Sequence, residues 1–284
     1  MKAFFNHSEP KDTISIGDEK IELPILYFRD DYFALYFSAD YDKVKAAMPA
    51  DQLYPVMLPN GRAVVALGAF NYIETTIGPY GEFAVAVPAV YGKPTTASNG
   101  IFPLLMESSY PGFGAVVLHL PVTTRKARDG GRTIWGYTKF IADMHFTVCP
   151  EYMQCTLRER DAHILDLRVR RKGIYMRDRK PLTTYTVKDR QLIKTVVPQI
   201  GTKRFSLLTG GSYVRLGTHP MAESIKALDL ASKPFMSVCY PERGAILPAG
   251  RVIATDVAPL EGYYGEDRTA EHTVAYTEDL DVPN

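Results

Sequence analysis

The hydrophobic pattern along the chain is mostly that of β-strands. Between residues 146 and 186 apolar and polar positions alternate, with Leu165, Leu167 and Val169 set against Asp166, Arg168 and Arg170. That is the period-two signature of strands with one wet face. Residues 32–39 (YFALYFSA) are dense in aromatics and predict a strand buried on both faces. The same reading predicts strands over 62–73, over 76–91 after a Gly-Pro turn, over 115–122, over 235–240 and near 251–255.

Helical signals are few. Ser38 or Asp40 can cap a short helix whose apolar stripe is Val44, Ala47 and Met48 and which Pro49 stops. A second helix is predicted over 220–230, apolar at Ile225 and Leu228. Residues 1–24 read as an extended arm ending at Pro24. Residues 123–131 (TTRKARDGG) read as a polar, glycine-ended loop that presents the segment after it. There is no internal repeat and no βαβ alternation, so the pattern predicts a single α+β domain, mostly antiparallel β.

Composition bounds this picture without changing it. A chain of 284 residues with 46% hydrophobic and 23% charged residues is that of a globular protein with a sizeable core. The net charge of +1 conceals an asymmetry. Residues 255–284 carry eight carboxylates against Arg268 alone, −7, which leaves +8 on residues 1–254. The stretch reads as a solvated acidic tail, or as one that lies on a basic surface of its own or a neighbouring subunit. Arg168, Arg170, Arg171, Lys172, Arg177, Arg179 and Lys180 form a basic cluster, but Asp161, Asp166 and Asp178 interrupt it. No aromatic platform recurs beside it, which makes it a solvated face and argues against a nucleic-acid partner. Cys149, Cys155 and Cys239 have no C-x-x-C spacing, so reduced thiols are expected rather than a metal site or disulfide. The first 20 residues lack the apolar core of a signal peptide, and apolar runs such as 63–70 fall well short of the ~20 residues that span a bilayer. A cytoplasmic location with no membrane partner is the expectation.

Nucleophile elbow, P-loop, dinucleotide fingerprint and H-E-x-x-H are all missing, and the six histidines are scattered. One segment stands out: 131–142, GRTIWGYTKFIA, in which Lys139 sits among Ile134, Trp135, Tyr137, Phe140 and Ile141. Desolvation disfavours an ammonium ion and favours a neutral amine that can attack a carbonyl. The plainer alternative is a lysine at a strand end that carries its charge to water along an apolar stem.

The segment resembles the Schiff-base motif of the acetoacetate decarboxylase family, G-R-E-x-x-[GA]-[YF]-P-K, with Gly131, Arg132, Gly136, Tyr137 and Lys139 matching. Two further blocks match in order: Phe28-Arg29-Asp30-Asp31-Tyr32-Phe33, like the block whose arginine faces the family's active site, and Gly78-Pro79-Tyr80-Gly81-Glu82-Phe83, like the block with its active-site glutamate. Residues 216–235 resemble its C-terminal helix, so the likeness covers roughly 24–255. The resemblance implies a cone-like, closed antiparallel β-barrel, a homo-oligomer and a small keto-acid substrate. Lys139, Glu82 and Arg29 would be catalytic, with Tyr80, Trp135, Tyr137 and Phe140 around the substrate. Activation of the lysine by desolvation or a neighbouring cation is a known property of that family. Its chemistry needs no metal or organic cofactor, because the lysine iminium is the electron sink.

The sequence departs from the family's pattern at four places. Phe140 stands where a second lysine follows the first, Thr133 where the motif has Glu, Thr138 where it has Pro, and Leu67 where a second acidic residue is expected. Three readings follow: decarboxylation of a β-keto acid such as acetoacetate, a Schiff-base aldolase or dehydratase acting on pyruvate or related keto acids, and a non-catalytic barrel binding a small apolar ligand.

Overall fold

The computed structural model describes residues 2–6 and 8–265. The acidic tail expected over 255–284 therefore lies outside the described residues from Glu266 onward. The chain opens with α1 (Lys2–Phe5), β1 (Asp12–Ile16), β2 (Glu19–Leu23) and β3 (Ile25–Ala39). It continues through α2 (Tyr41–Ala46), β4 (Leu53–Pro55), β5 (Ala63–Thr75), β6 (Tyr80–Tyr91), α3 (Phe102–Leu105) and β7 (Phe113–His119). After α4 (Arg125–Gly130) come β8 (Asp143–Val148), β9 (Tyr152–Glu159), β10 (Ala162–Arg170), β11 (Ile174–Asp178) and β12 (Leu182–Lys188). The last elements are β13 (Gln191–Val197), β14 (Gln199–Ser206), β15 (Tyr213–Leu216), α5 (Pro220–Ala227), β16 (Met236–Leu247) and β17 (Arg251–Ala254).

The largest sheet runs β11-β14-β16-β3-β5-β6-β7-β12-β13-β17, with β4 paired on β6. All its pairings are antiparallel except β12 on β7, which is parallel over Thr184↔Ala115 and Tyr185↔Val116. A second sheet, β15-β10-β9-β8, packs against one face of it. Alternation along β6 sorts its side chains by face. Phe83, Val85, Val87 and Ala89 enter the core with Leu67, Met153, Cys155, Leu165 and Ile225. Glu82, Ala84, Ala86 and Pro88 face the other way, into a cavity of about 500 Å³.

Three expectations are corrected. Among the described residues the sheet is not closed into a barrel, because its edge strands β11 and β17 pair only with β14 and β13. β12, the next strand after β11 in the chain, has β7 on one edge and β13 on the other, so it offers β11 no free edge. The arm over 1–24 contains the β1–β2 hairpin, whose Ile21 and Leu23 are buried. The loop over 123–131 contains α4. Its Arg-Lys-Ala-Arg run has good helix formers that the polar composition disguises, and the helix buries Ala127. The two predicted helices, α2 and α5, follow expectation. Asp40 accepts from Lys43 N–H at the start of α2, and the His219 ring accepts from Met221 N–H at the start of α5.

Candidate active site

Lys139 is placed by an irregular segment. A π-helical turn over Gly131–Trp135 continues α4 and stops at Gly136, whose φ of +70° suits a glycine. The chain then runs extended beside residues 118–122, with Leu120 N–H on Thr138 O at 3.3 Å and Val122 N–H on Phe140 O at 2.9 Å. Successive side chains therefore point to opposite sides. Tyr137 and Lys139 face the cavity, while Thr138 donates to Leu118 O at 2.8 Å and Phe140 enters the core. Gly131 and Arg132 both serve the lysine. A methyl group on Gly131 would lie 2.5 Å from Lys139 Cδ, so the stem passes over bare backbone. Arg132 Nε donates to Lys139 O at 2.6 Å and its Nη2 to Tyr264 O at 2.7 Å, which clamps the lysine's main chain.

Glu82, on β6, meets the amine. Lys139 Nζ lies 2.7 Å from Glu82 Oε2, and the two residues are 5% and 7% exposed. Tyr72 Oη donates to Glu82 Oε1 at 3.1 Å. The rings of Tyr80 and Tyr137 each centre 5.6 Å from Nζ. Tyr27 and Tyr80 share a hydroxyl hydrogen bond of 2.9 Å, and Tyr137 shares one of 2.9 Å with Thr184. Burial pushes the Tyr27, Tyr72, Tyr80 and Tyr137 phenols up from their ordinary range, so all four stay neutral at physiological pH. Carboxylate and amine thus meet in an aromatic, water-poor setting that strengthens their attraction.

Of the residues anticipated from sequence, Glu82, Tyr137 and Lys139 line the cavity, and Tyr80 packs behind the lysine. Trp135 is buried beside Tyr137 and donates to Pro248 O at 3.0 Å, without facing the main cavity. Phe140 packs on His219 and Tyr263, on the far side from the cavity. A residue directly after Lys139 therefore cannot reach the amine's surroundings, whatever its charge. Leu67 is fully buried in the core between the sheets, not in the cavity.

Arg29 is also corrected, for it is exposed and lines no part of the cavity. The cause is a pair of β-bulges. The β3–β5 register slips on both sides of Arg29, and the β16–β3 register slips on both sides of Arg243. Each bulge resets which side chains face inward. Asp30, not Arg29, is turned in, opposite Arg243. Arg243 donates from Nε and Nη2 to the two Asp30 oxygens at 2.9 and 3.2 Å, and from Nη1 to Gln199 at 3.0 Å. Its guanidinium stacks over Phe70 and Tyr32 and lines the cavity. Sequence reading missed Arg243, Tyr27 and Tyr72. Arg243 falls just beyond the predicted strand over 235–240, and only the broken alternation at Pro241-Glu242 could have signalled the bulge.

The family model for acetoacetate decarboxylase (ADC) matches residues 15–253. No curated protein matches significantly. Among solved structures, acetoacetate decarboxylase from Legionella pneumophila is similar, with 18% identity, a TM-score of 0.59, and coverage of 88% of this chain and 94% of that one. The enduracididine biosynthesis enzyme MppR complexed with pyruvate is similar at 14% identity and TM-score 0.55, covering 82% of this chain and 91% of that one. An acetoacetate decarboxylase-like enzyme from Sphingomonas wittichii RW1 is similar at 14% identity and TM-score 0.54, covering 82% and 94%.

Proposed function

Because this chain belongs to the acetoacetate decarboxylase family, we propose that it decarboxylates a β-keto acid through a Schiff base on Lys139. The observation that carries the reading is the buried Lys139–Glu82 contact of 2.7 Å at the end of a cavity of about 500 Å³. As substrate enters, Glu82 Oε2 takes the proton that the amine holds in the pair, and neutral Nζ attacks the ketone carbon. The carbinolamine loses water and becomes a cationic iminium. The bond to the carboxylate then breaks, its electron pair moves into the iminium to give an enamine, and CO₂ leaves. Glu82, having given its first proton to the departing hydroxyl and taken another from solvent, protonates the enamine carbon, and water releases the ketone and the amine. Tyr72 holds Glu82 in place through its other oxygen. Arg243 takes the part expected of Arg29: with Asp30 and Gln199 using only some of its N–H groups, the rest can draw the substrate carboxylate into the cavity.

The test is incubation with acetoacetate, reduction with sodium borohydride and peptide mapping, with CO₂ release recorded in parallel. An adduct on Lys139 together with CO₂ supports decarboxylation. An adduct without CO₂ points to the second reading, aldol condensation or dehydration on pyruvate, which the likeness to a pyruvate-bound MppR favours. No adduct with any keto acid leaves a ligand-binding protein. We place the chain in the cytoplasm as a homo-oligomer, a reading to be checked by fractionation and by mass in solution.

A further inference from the structure

The cavity is far larger than a four-carbon keto acid needs. At about 500 Å³ it falls in the range of ~300–1,000 Å³ that holds drug-sized ligands. It is also long. Glu82, Ala84, Ala86 and Pro88 face it in succession along β6, and six residues of strand at ~3.3 Å each span about 20 Å. The amine lies at the Glu82 end, deep in the protein.

The middle of this tunnel is walled by alanines. Ala66 and Ala86 are register partners on adjacent strands, and Ala115 pairs with Pro88 on the next. Ala66, Ala84, Ala86 and Ala115 are all half-buried, with their methyl groups against open space. The odd-numbered neighbours alongside them on β6, Phe83, Val85 and Val87, are larger and fully buried in the core.

The far end opens between α3 and β11. Cavity-lining Leu105, Met176 and Ile174 are 37%, 44% and 69% exposed there, an apolar lip on the opening. Two of the cations at this end have partners, while Arg177 lines the cavity from the exposed side of β11. Lys203 is paired with Asp178, and Lys180 Nζ donates to Leu105 O at 2.5 Å. The alanine wall and the apolar lip match a hydrocarbon.

We propose that the natural substrate is a β-keto acid with a long apolar tail. Its carbonyl sits on Lys139 and its tail lies along the Ala84–Ala86 face of β6 toward the lip at Leu105, Met176 and Ile174. The proposal rests on the Schiff-base reading above. Its balanced outcome is one keto acid anion and one proton giving CO₂ and a methyl ketone one carbon shorter.

The experiment measures kcat/KM and the rate of borohydride-trapped adduct for acetoacetate, β-ketohexanoate, β-ketooctanoate and β-ketodecanoate. Each methylene buried in the tunnel should raise kcat/KM about fourfold, giving ~4,000-fold across the six methylenes that separate acetoacetate from β-ketodecanoate. Ala86→Leu and Ala115→Leu narrow the tunnel beyond Glu82, and each should flatten this slope through a higher KM for the longer acids. Thermal melts identify a variant that fails to fold, and the unmodified chain's series decides the matter by itself. A flat or falling series with adducts still formed on Lys139 overturns the tail and leaves the Schiff base standing. No adduct from any member removes the Schiff base, and the tail proposal with it.

Discussion

A methyl group on Gly131 would lie 2.5 Å from Cδ and 2.6 Å from Cε of Lys139, so the absence of a side chain at one residue makes the path for the side chain of the other. Gly131→Ala should keep the fold, because the clash is with a side chain, and move the amine off Glu82. Misplacement of a reacting group by ~1 Å costs about 100-fold in rate. Adduct formation should drop by that order while the melting temperature moves by only a few degrees. Full activity in the alanine variant would mean that the lysine reaches the cavity by another route.

Lys139→Met should abolish the adduct and leave Glu82 buried with Tyr72 as its remaining side-chain partner, at a cost of ~1–3 kcal/mol of stability. Glu82→Gln in the same chain should recover much of that loss. The measurement is a double-mutant cycle by urea unfolding. Additive losses would show that the pair contributes little to stability.

The two arginines should behave differently. Arg243→Gln leaves Asp30 charged and buried, and loss of one partner from such a pair costs ~3–5 kcal/mol. Arg29→Gln alters an exposed side chain and should stay within ~0.5 kcal/mol with catalysis unchanged. Urea midpoints and steady-state rates for both variants check the assignment. Equal effects would contradict it.

His119 gives the fold a pH dependence. Burial lowers its ring from 6.5 to about 4, and its Nε2 lies 2.8 Å from Ser224 Oγ. Between those values the unfolded chain binds a proton that the folded chain excludes. Stability is therefore full above pH 6.5 and falls as pH drops toward 4, by about 3 kcal/mol from this residue. His119→Gln should flatten denaturation midpoints measured between pH 7.5 and 4.5. An unchanged slope would place the titration elsewhere.

Phe140→Lys would restore the charge pattern of the family's motif but not its chemistry. The side chain would enter the core beside His219 and Tyr263, where it would lose the ring packing and compete with both for Glu159, at a cost of about 3–5 kcal/mol. Melting temperature should fall with no gain in adduct formation. Faster trapping would show that this position does influence the amine.

Much of the site could be read from sequence where local pattern decides it. Lys139 and Tyr137 are two apart on an extended segment, and their shared side follows from alternation alone. By the same rule Thr138 and Phe140 face away, which an apolar composition without a periodicity count concealed. Glu82 was reached through its ordered block. Arg29 was not, because a bulge on β3 depends on the register of strands distant in sequence, with Asp30 and Arg243 separated by 213 positions. The mostly antiparallel β architecture was foreseen, but the expected closed barrel was not found, because closure is not a local property either. Closure depends on whether the edge strands β11 and β17 meet, and those edges are set by pairings between strands far apart in sequence.

The two-faced strand β6 has an evolutionary consequence. Residues 84 and 86 shape what enters, whereas residues 83, 85 and 87 hold the sheets together, and no side chain serves both tasks. A lineage can therefore resize the tunnel by point substitution without eroding its core. The same layout makes length changes intolerable: deletion of one residue within β6 would exchange the two sets at a stroke, turning the alanines inward and pointing Phe83 at the substrate. Diversity among descendants of this chain should accumulate as substitutions at positions 84 and 86 of β6 and almost never as gaps.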